Sequence, residues 1–164
     1  MESGATVSAG PDRMQAAMPT IHLTERTPAP PDRVVAAMTD FSDARPSIWP
    51  SLAPDHYEVH SRGEDWAEVT EGADFAGGVW ERGRYDWSQP GVVRFTVTDS
   101  NAFAAGSSWE YHVRPDGTGS VVDLTVSRRP ATPKGQVLAL LFRVGGKRAL
   151  GADLRRALER LSAA

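Results

Sequence analysis

The sequence predicts an α+β fold: a curved antiparallel sheet of about seven strands wrapped around a long C-terminal helix, with two short helices between strands 1 and 2. Three observations predict it. Strand-like segments follow one another from residue 56 to residue 127, separated by short turn signals. The apolar period becomes helical from residue 134 onward. A meander cannot cover its own apolar face, and the C-terminal helix is the only element long enough to do so.

The elements follow in order. Residues 1–18 are small and polar without a period, and are expected to form a disordered leader ahead of a single domain at 19–164. Ile21 to Arg26 alternates as a first strand, which Pro28, Pro30 and Pro31 end. Asp32 opens a short helix through Met38 with proline at its start. Asp40, Ser42 and Asp43 break it, and a second helical stretch leads to Trp49-Pro50. Strands are expected at 56–61, 64–71, 78–87, 91–99, 107–114 and 120–127. The turns between them include Arg62-Gly63, Gly77-Gly78, Gln89-Pro90-Gly91 and Pro115-Asp116-Gly117, which read as hairpins. In the final helix, 134–161, Leu150, Leu154, Leu158 and Leu161 form a stripe, with Arg148, Arg155, Arg156 and Arg160 on the other side. The stripe of its first half, Val137, Leu140, Leu141 and Val144, is rotated by roughly a quarter turn at ~100° per residue. Gly145-Gly146 lies at the change. Either the helix bends there or its first half is buried on a different side.

Composition narrows the function classes. The chain has 164 residues and no cysteine, which excludes disulfides, thiolate metal sites and a cysteine nucleophile. No apolar run approaches the length of a membrane helix, the N-terminus has no secretory pattern, and a cytoplasmic location is expected. The net charge of -3 hides an asymmetry. Residues 128–164 carry nine basic residues against two acidic ones, whereas residues 1–127 carry nine against nineteen. Either the basic helix lies near an acidic sheet of its own chain, or it docks an acidic partner such as an anionic lipid surface or an acidic carrier protein. His56 and His60 would lie ~13 Å apart along a strand, too far to share a metal ion. Gly145-Gly146-Lys147-Arg148 lacks the spacing of a phosphate loop. Ser107-Ser108 lacks a nucleophile-elbow context. No basic–aromatic run suggests nucleic-acid binding, and neither a metal nor a cofactor is expected.

Ala29-Pro30-Pro31-Asp32-Arg33-Val34-Val35-Ala36-Ala37-Met38-Thr39-Asp40-Phe41 with Trp49-Pro50 following, Trp80-Glu81 through Trp87, and Ser107-Ser108-Trp109-Glu110-Tyr111 carry a resemblance. With the element order, they resemble the START-like, or SRPBCC, superfamily and its helix-grip fold. The bacterial branch described as polyketide cyclase/dehydrase or lipid-transport-like is the most similar, over about residues 19–162. The resemblance implies a deep cavity between sheet and C-terminal helix that holds an apolar or aromatic small molecule. Members include lipid carriers, aromatase/cyclases and ring-hydroxylating oxygenase domains. This chain lacks the histidine ligands that an oxygenase iron site needs.

Alternation assigns the residues that would face such a cavity. In 91–99 the inner set is Val93, Phe95, Val97 and then Asp99; in 107–114 it is Ser107, Trp109, Tyr111 and Val113. Val122, Leu124 and Val126 form the inner set of the last strand. In 78–87, Trp80, Arg82, Arg84 and Asp86 make the better outer face, which turns Glu81, Gly83, Tyr85 and Trp87 inward. A five-residue hairpin loop agrees, pairing Tyr85 with Phe95. In 64–71 either Trp66, Glu68 and Thr70 or Ala67, Val69 and Glu71 face inward, and Trp66 is preferred. The expected ligand-contacting residues are therefore Trp49, Trp66, Tyr85, Trp87, Phe95, Trp109 and Tyr111. The first expectation is a binder of a lipid- or polyketide-like molecule. The alternative is a polyketide cyclase or aromatase using Glu81 and Tyr85, with Asp99 behind them. A third reading is an interaction module using the basic helix face. Glu81 is either an ion pair with a neighbouring arginine or a buried acid with a raised pKa.

Overall fold

Strand β1 (Thr20–Thr27) opens the structure, a computed structural model that describes residues 20–163; the leader expected at 1–18 lies outside the described residues. Helix α1 (Pro31–Met38) has proline at its start, where a missing N–H is harmless, and buries Val34 and Met38. A single helical turn, α2 (Arg45–Ile48), follows. Next come β2 (Glu58–Arg62), β3 (Trp66–Ala73), β4 (Val79–Asp86), β5 (Val92–Ser100), β6 (Ser108–Asp116) and β7 (Gly119–Ser127). The C-terminal helix comprises α3 (Pro133–Leu141), a π-helical turn (Phe142–Gly146) and α4 (Lys147–Ala163). This is the predicted α+β order.

The strands form one antiparallel sheet in the order β1-β7-β6-β5-β4-β3-β2. The meander runs from β2 to β7, and β1 returns to pair with β7 in the register Leu23↔Leu124. The two faces separate as alternation requires. Val69, Val93, Phe95, Val122 and Leu124 are buried on the inner face. The outer face carries cross-strand ion pairs, among them Arg94–Glu110, Arg114–Asp123 and Arg82–Glu68. Helix α4 packs on β1 and is touched by α1 and α2. It buries Leu154, Ala157, Leu158 and Leu161, a stripe at helical spacing.

Two local expectations change, and one of the two alternatives for the C-terminal helix falls. The β4–β5 ladder shifts register between Arg82 and Gly83, so that Arg82 opposes Asp99 and Glu81 opposes Ser100. The extra residue of this bulge reverses the parity beyond it. Asp99 is therefore exposed on the outer side, not inward as alternation alone implies. In β3 the inner set is Ala67, Val69 and Glu71, because Ala67 pairs with Tyr85 and Trp66 with Asp86. Trp66 lies outside, beneath the Arg84 guanidinium at 4.1 Å, where a cation–π contact gives the ring a partner. The apolar stripe of the first half of the C-terminal helix is not buried on another side. The π turn at Gly145-Gly146 changes the helical phase, and Val137, Leu140, Leu141 and Val144 face solvent.

Gly83 leaves room for a neighbouring ring. A Cβ there would lie 2.6 Å from the Phe95 ring and 2.4 Å from the Thr96 carbonyl oxygen. Gly83→Val is therefore expected to lower stability by about 1–3 kcal/mol through overpacking. Urea unfolding of variant and wild type measures it, and an unchanged midpoint would show that β4 and β5 move apart freely.

Candidate functional site

The inner face of the sheet and the C-terminal helix do not close on each other along their whole length. Between them lies a cavity of about 630 Å³. Met38, Phe95, Leu124, Leu138 and Leu154 supply apolar wall. The exposed side chains Phe75 and Leu141 also line it, which places its mouth between the β3–β4 connection and the end of α3.

Two ion pairs stand in the wall. Glu71 and Glu81 are direct cross-strand partners on the inner faces of β3 and β4. Like charges so placed repel, and each is drawn to an arginine from elsewhere in the chain. Arg45, from α2, donates from Nε to Glu71 Oε1 at 2.6 Å and from Nη1 to the Met38 carbonyl at 2.9 Å. Its guanidinium lies 4.4 Å from the centre of the Phe41 ring and 5.1 Å from that of Tyr85. Burial works against the charge of Arg45, and Glu71, with Tyr85 beside it, outweighs that and holds the pKa above the ordinary arginine value. Arg128, just beyond β7, donates from Nη1 to Glu81 Oε1. It sits between the Trp109 ring at 4.3 Å and the Phe103 ring at 4.7 Å. Burial lowers the Arg128 pKa below the ordinary arginine value. Arginine nonetheless stays protonated in proteins, and its partner in this buried ion pair is Glu81.

The phenols complete the polar surface. Tyr85 Oη donates to Glu71 Oε2 at 2.8 Å. Tyr111 Oη makes no hydrogen bond among the described residues. Trp49 Nε1 is buried and also without a partner among them, while Trp109 Nε1 donates to Glu81 Oε2 at 3.4 Å.

Of the residues expected at a cavity, Trp49, Glu81, Tyr85, Phe95, Trp109 and Tyr111 line it. Trp66 and Asp99 are on the outer side, as described above. Trp87 is turned inward but lies outside the cavity, stacked on Phe41 at 5.7 Å in the packed part of the core. Phe41 follows α1 and fills the space that a ligand would need to reach it. Four charged residues of the wall were not singled out from the sequence, Asp153 of α4 among them. Arg128 is the next inward position after Val122, Leu124 and Val126, so extending that parity finds it. Glu71 belongs to the alternative parity of its strand, and Tyr85↔Phe95 followed by Ala67↔Tyr85 would have selected it. Arg45 lies in a single helical turn, and no sequence period marks it.

Arg128→Met leaves the Glu81 carboxylate unpaired in the wall, at an expected cost of about 3–5 kcal/mol. Glu81→Gln combined with Arg128→Met should recover most of that loss. A urea-unfolding double-mutant cycle measures the coupling, and additive losses would mean that the pair does not act as one unit. The phenols predict an alkaline transition. Burial pushes Tyr57 up to about 12 and raises Tyr85 and Tyr111 well above the ordinary phenol value. Each is neutral in the fold and ionises more readily once unfolded, so this stability is complete below about pH 10 and falls as pH rises above it. Absorbance at 295 nm should show no tyrosine titrating at the free value while circular dichroism stays native; a normal titration of one phenol in the folded chain contradicts the burial.

The fold has known counterparts. The TTHA0849 protein of Thermus thermophilus superposes with a TM-score of 0.73 at 21% identity, over 88% of this chain and 98% of that one. The Zhui aromatase/cyclase from a Streptomyces species has a TM-score of 0.73 at 18% identity, over 88% and 93%. A START superfamily protein from Mycobacterium smegmatis has a TM-score of 0.66 at 13% identity, over 87% and 98%. At these identities the likeness concerns the fold. No curated protein sequence matches the chain. The family described as polyketide cyclase / dehydrase and lipid transport matches residues 18–164, and the chain belongs to that family.

Proposed function

We propose that the protein binds an uncharged, hydrophobic, ring-containing small molecule, lipid- or polyketide-like, in the cavity beneath its C-terminal helix. The observation that carries this reading is that both cations of the cavity wall are neutralised within it. Arg45 is matched by Glu71 and Arg128 by Glu81, and the remaining charged residue of the wall, Asp153, is an acid that accepts from the Ser51 hydroxyl. A ligand carboxylate would find no free cation there and would lose its hydration. The wall instead offers aromatic and aliphatic surface, with Tyr111 Oη available for a ligand oxygen.

A cyclase reading, favoured by the likeness to the aromatase/cyclase, needs a proton donor and acceptor against the substrate. Glu81 and Tyr85 line the cavity, but both carboxylates are held by arginines and the Tyr85 proton is already given to Glu71. Those commitments support binding over acid–base turnover. On the basic face of α4, Arg155 pairs with Glu25 and Arg160 donates to the Ser47 carbonyl, which leaves fewer of its cations for an acidic partner.

Native mass spectrometry of the chain purified from its own host should reveal a co-purifying neutral mass. In titrations by tryptophan fluorescence, 1-hydroxyanthraquinone should bind about tenfold or more tightly than anthraquinone-2-carboxylate. Tyr111→Phe should weaken the hydroxy compound about three- to tenfold without changing the unfolding midpoint. Equal affinity for the carboxylate would overturn the neutral-ligand reading.

A further inference from the structure

Five large apolar side chains are strongly exposed among the described residues: Phe75, Val137, Leu140, Leu141 and Val144. Four of them fall at positions i, i+3, i+4 and i+7 of one stretch, the spacing of a single helical face. Val144, at the π turn, is 86% exposed and Leu140 is 61% exposed. Leu138, on the opposite side of α3, is buried against Ala102 and Phe103. Helix α3 is thus apolar on both sides, a composition suited to an element that is covered on both sides. The fifth side chain, Phe75, belongs to the β3–β4 connection and lines the cavity mouth together with Leu141.

Cations continue this surface. Arg143, Lys147 and Arg148 are exposed and form no ion pair among the described residues. Of the nearby acids, Glu25 is paired with Arg155, Asp153 accepts from the Ser51 hydroxyl, and the exposed Asp74 lies 3.4 Å from His56 Nε2. A second copy of the chain seated on this stripe by a two-fold axis would bring the cations of both copies together, which opposes self-association. An anionic lipid surface matches both features at once. The apolar side chains would enter the acyl boundary and the cations would lie at the headgroups.

We propose that the outward face of α3 and its π turn, with Phe75, docks the protein on an anionic lipid bilayer, with the cavity mouth against the lipid. This does not depend on which ligand the cavity holds.

The test is co-sedimentation of the full chain with vesicles of phosphatidylcholine alone and of phosphatidylcholine mixed with phosphatidylglycerol. Binding is expected to the mixed vesicles, released by salt, and much weaker to the neutral ones. Leu140→Glu with Val144→Glu should reduce binding about tenfold or more, while circular dichroism and the unfolding midpoint stay native because both positions are exposed. Arg143→Gln with Lys147→Gln should reduce it about fivefold per cation and flatten the salt dependence. Failure to bind mixed vesicles, or unchanged binding by the folded Leu140→Glu/Val144→Glu variant, overturns the proposal. So does a dimer in sedimentation velocity that the same variant converts to monomer, since the stripe would then be occupied by a second copy.

Discussion

Glu71 and Glu81 face each other across β3 and β4 on the side of the sheet that should be its apolar core. Two unpaired carboxylates at that position would not survive burial. Each is met by an arginine that approaches from outside the hairpin: Arg45 from the turn of helix after α1, Arg128 from the end of β7. Aromatic rings surround both guanidinium groups. This double neutralisation lets polar residues line the interior without collapsing it. It also ties two distant parts of the chain to one stretch of sheet, so the cavity wall depends on long-range contacts more than on any local motif.

The aromatic residues divide along the same line. Trp87, Phe41, Tyr85 and Phe95 form a continuous run of ring contacts with centroid separations from 4.7 to 5.7 Å. At the Trp87 end this run is packed core. At the Tyr85 end one side of the ring is core and the hydroxyl reaches Glu71. Trp109 and Tyr111 continue on β6 toward the open part. Gly83 is part of this arrangement because any side chain there would displace the Phe95 ring. The sheet therefore has a packed end and a hollow end, and aromatic side chains serve both.

The C-terminal helix follows this division. Its second half buries Leu154, Ala157, Leu158 and Leu161 in the manner of an amphipathic helix. Its first half spans the hollow end, anchored by Leu138 and by the close approach of Gly135 to the Ala102 carbonyl. The π turn between them absorbs the change of phase, and the Phe142 ring lies over Gly146 with no space for a side chain. A helix over a cavity has less to pack against, and that is where the apolar stripe turns outward.

Alternation and turn chemistry alone determined the element order, the α+β class, and the inward placement of Glu81, Gly83, Tyr85, Phe95, Trp109 and Tyr111. Those features are local: a strand's period places every second side chain on one face, and the length of a hairpin loop sets its register. The tertiary structure decided what no period records. A one-residue bulge sent Asp99 outward. A cation–π partner held Trp66 on the outer face. Phe41, arriving from α1, made Trp87 part of the core. Arg45 reached Glu71 across 26 positions of sequence, and Arg128 reached Glu81 across 47. The sequence shows that Glu81 points inward; only the folded chain supplies the arginine that makes it an ion pair, because charge compensation depends on distance in space and not on spacing along the chain.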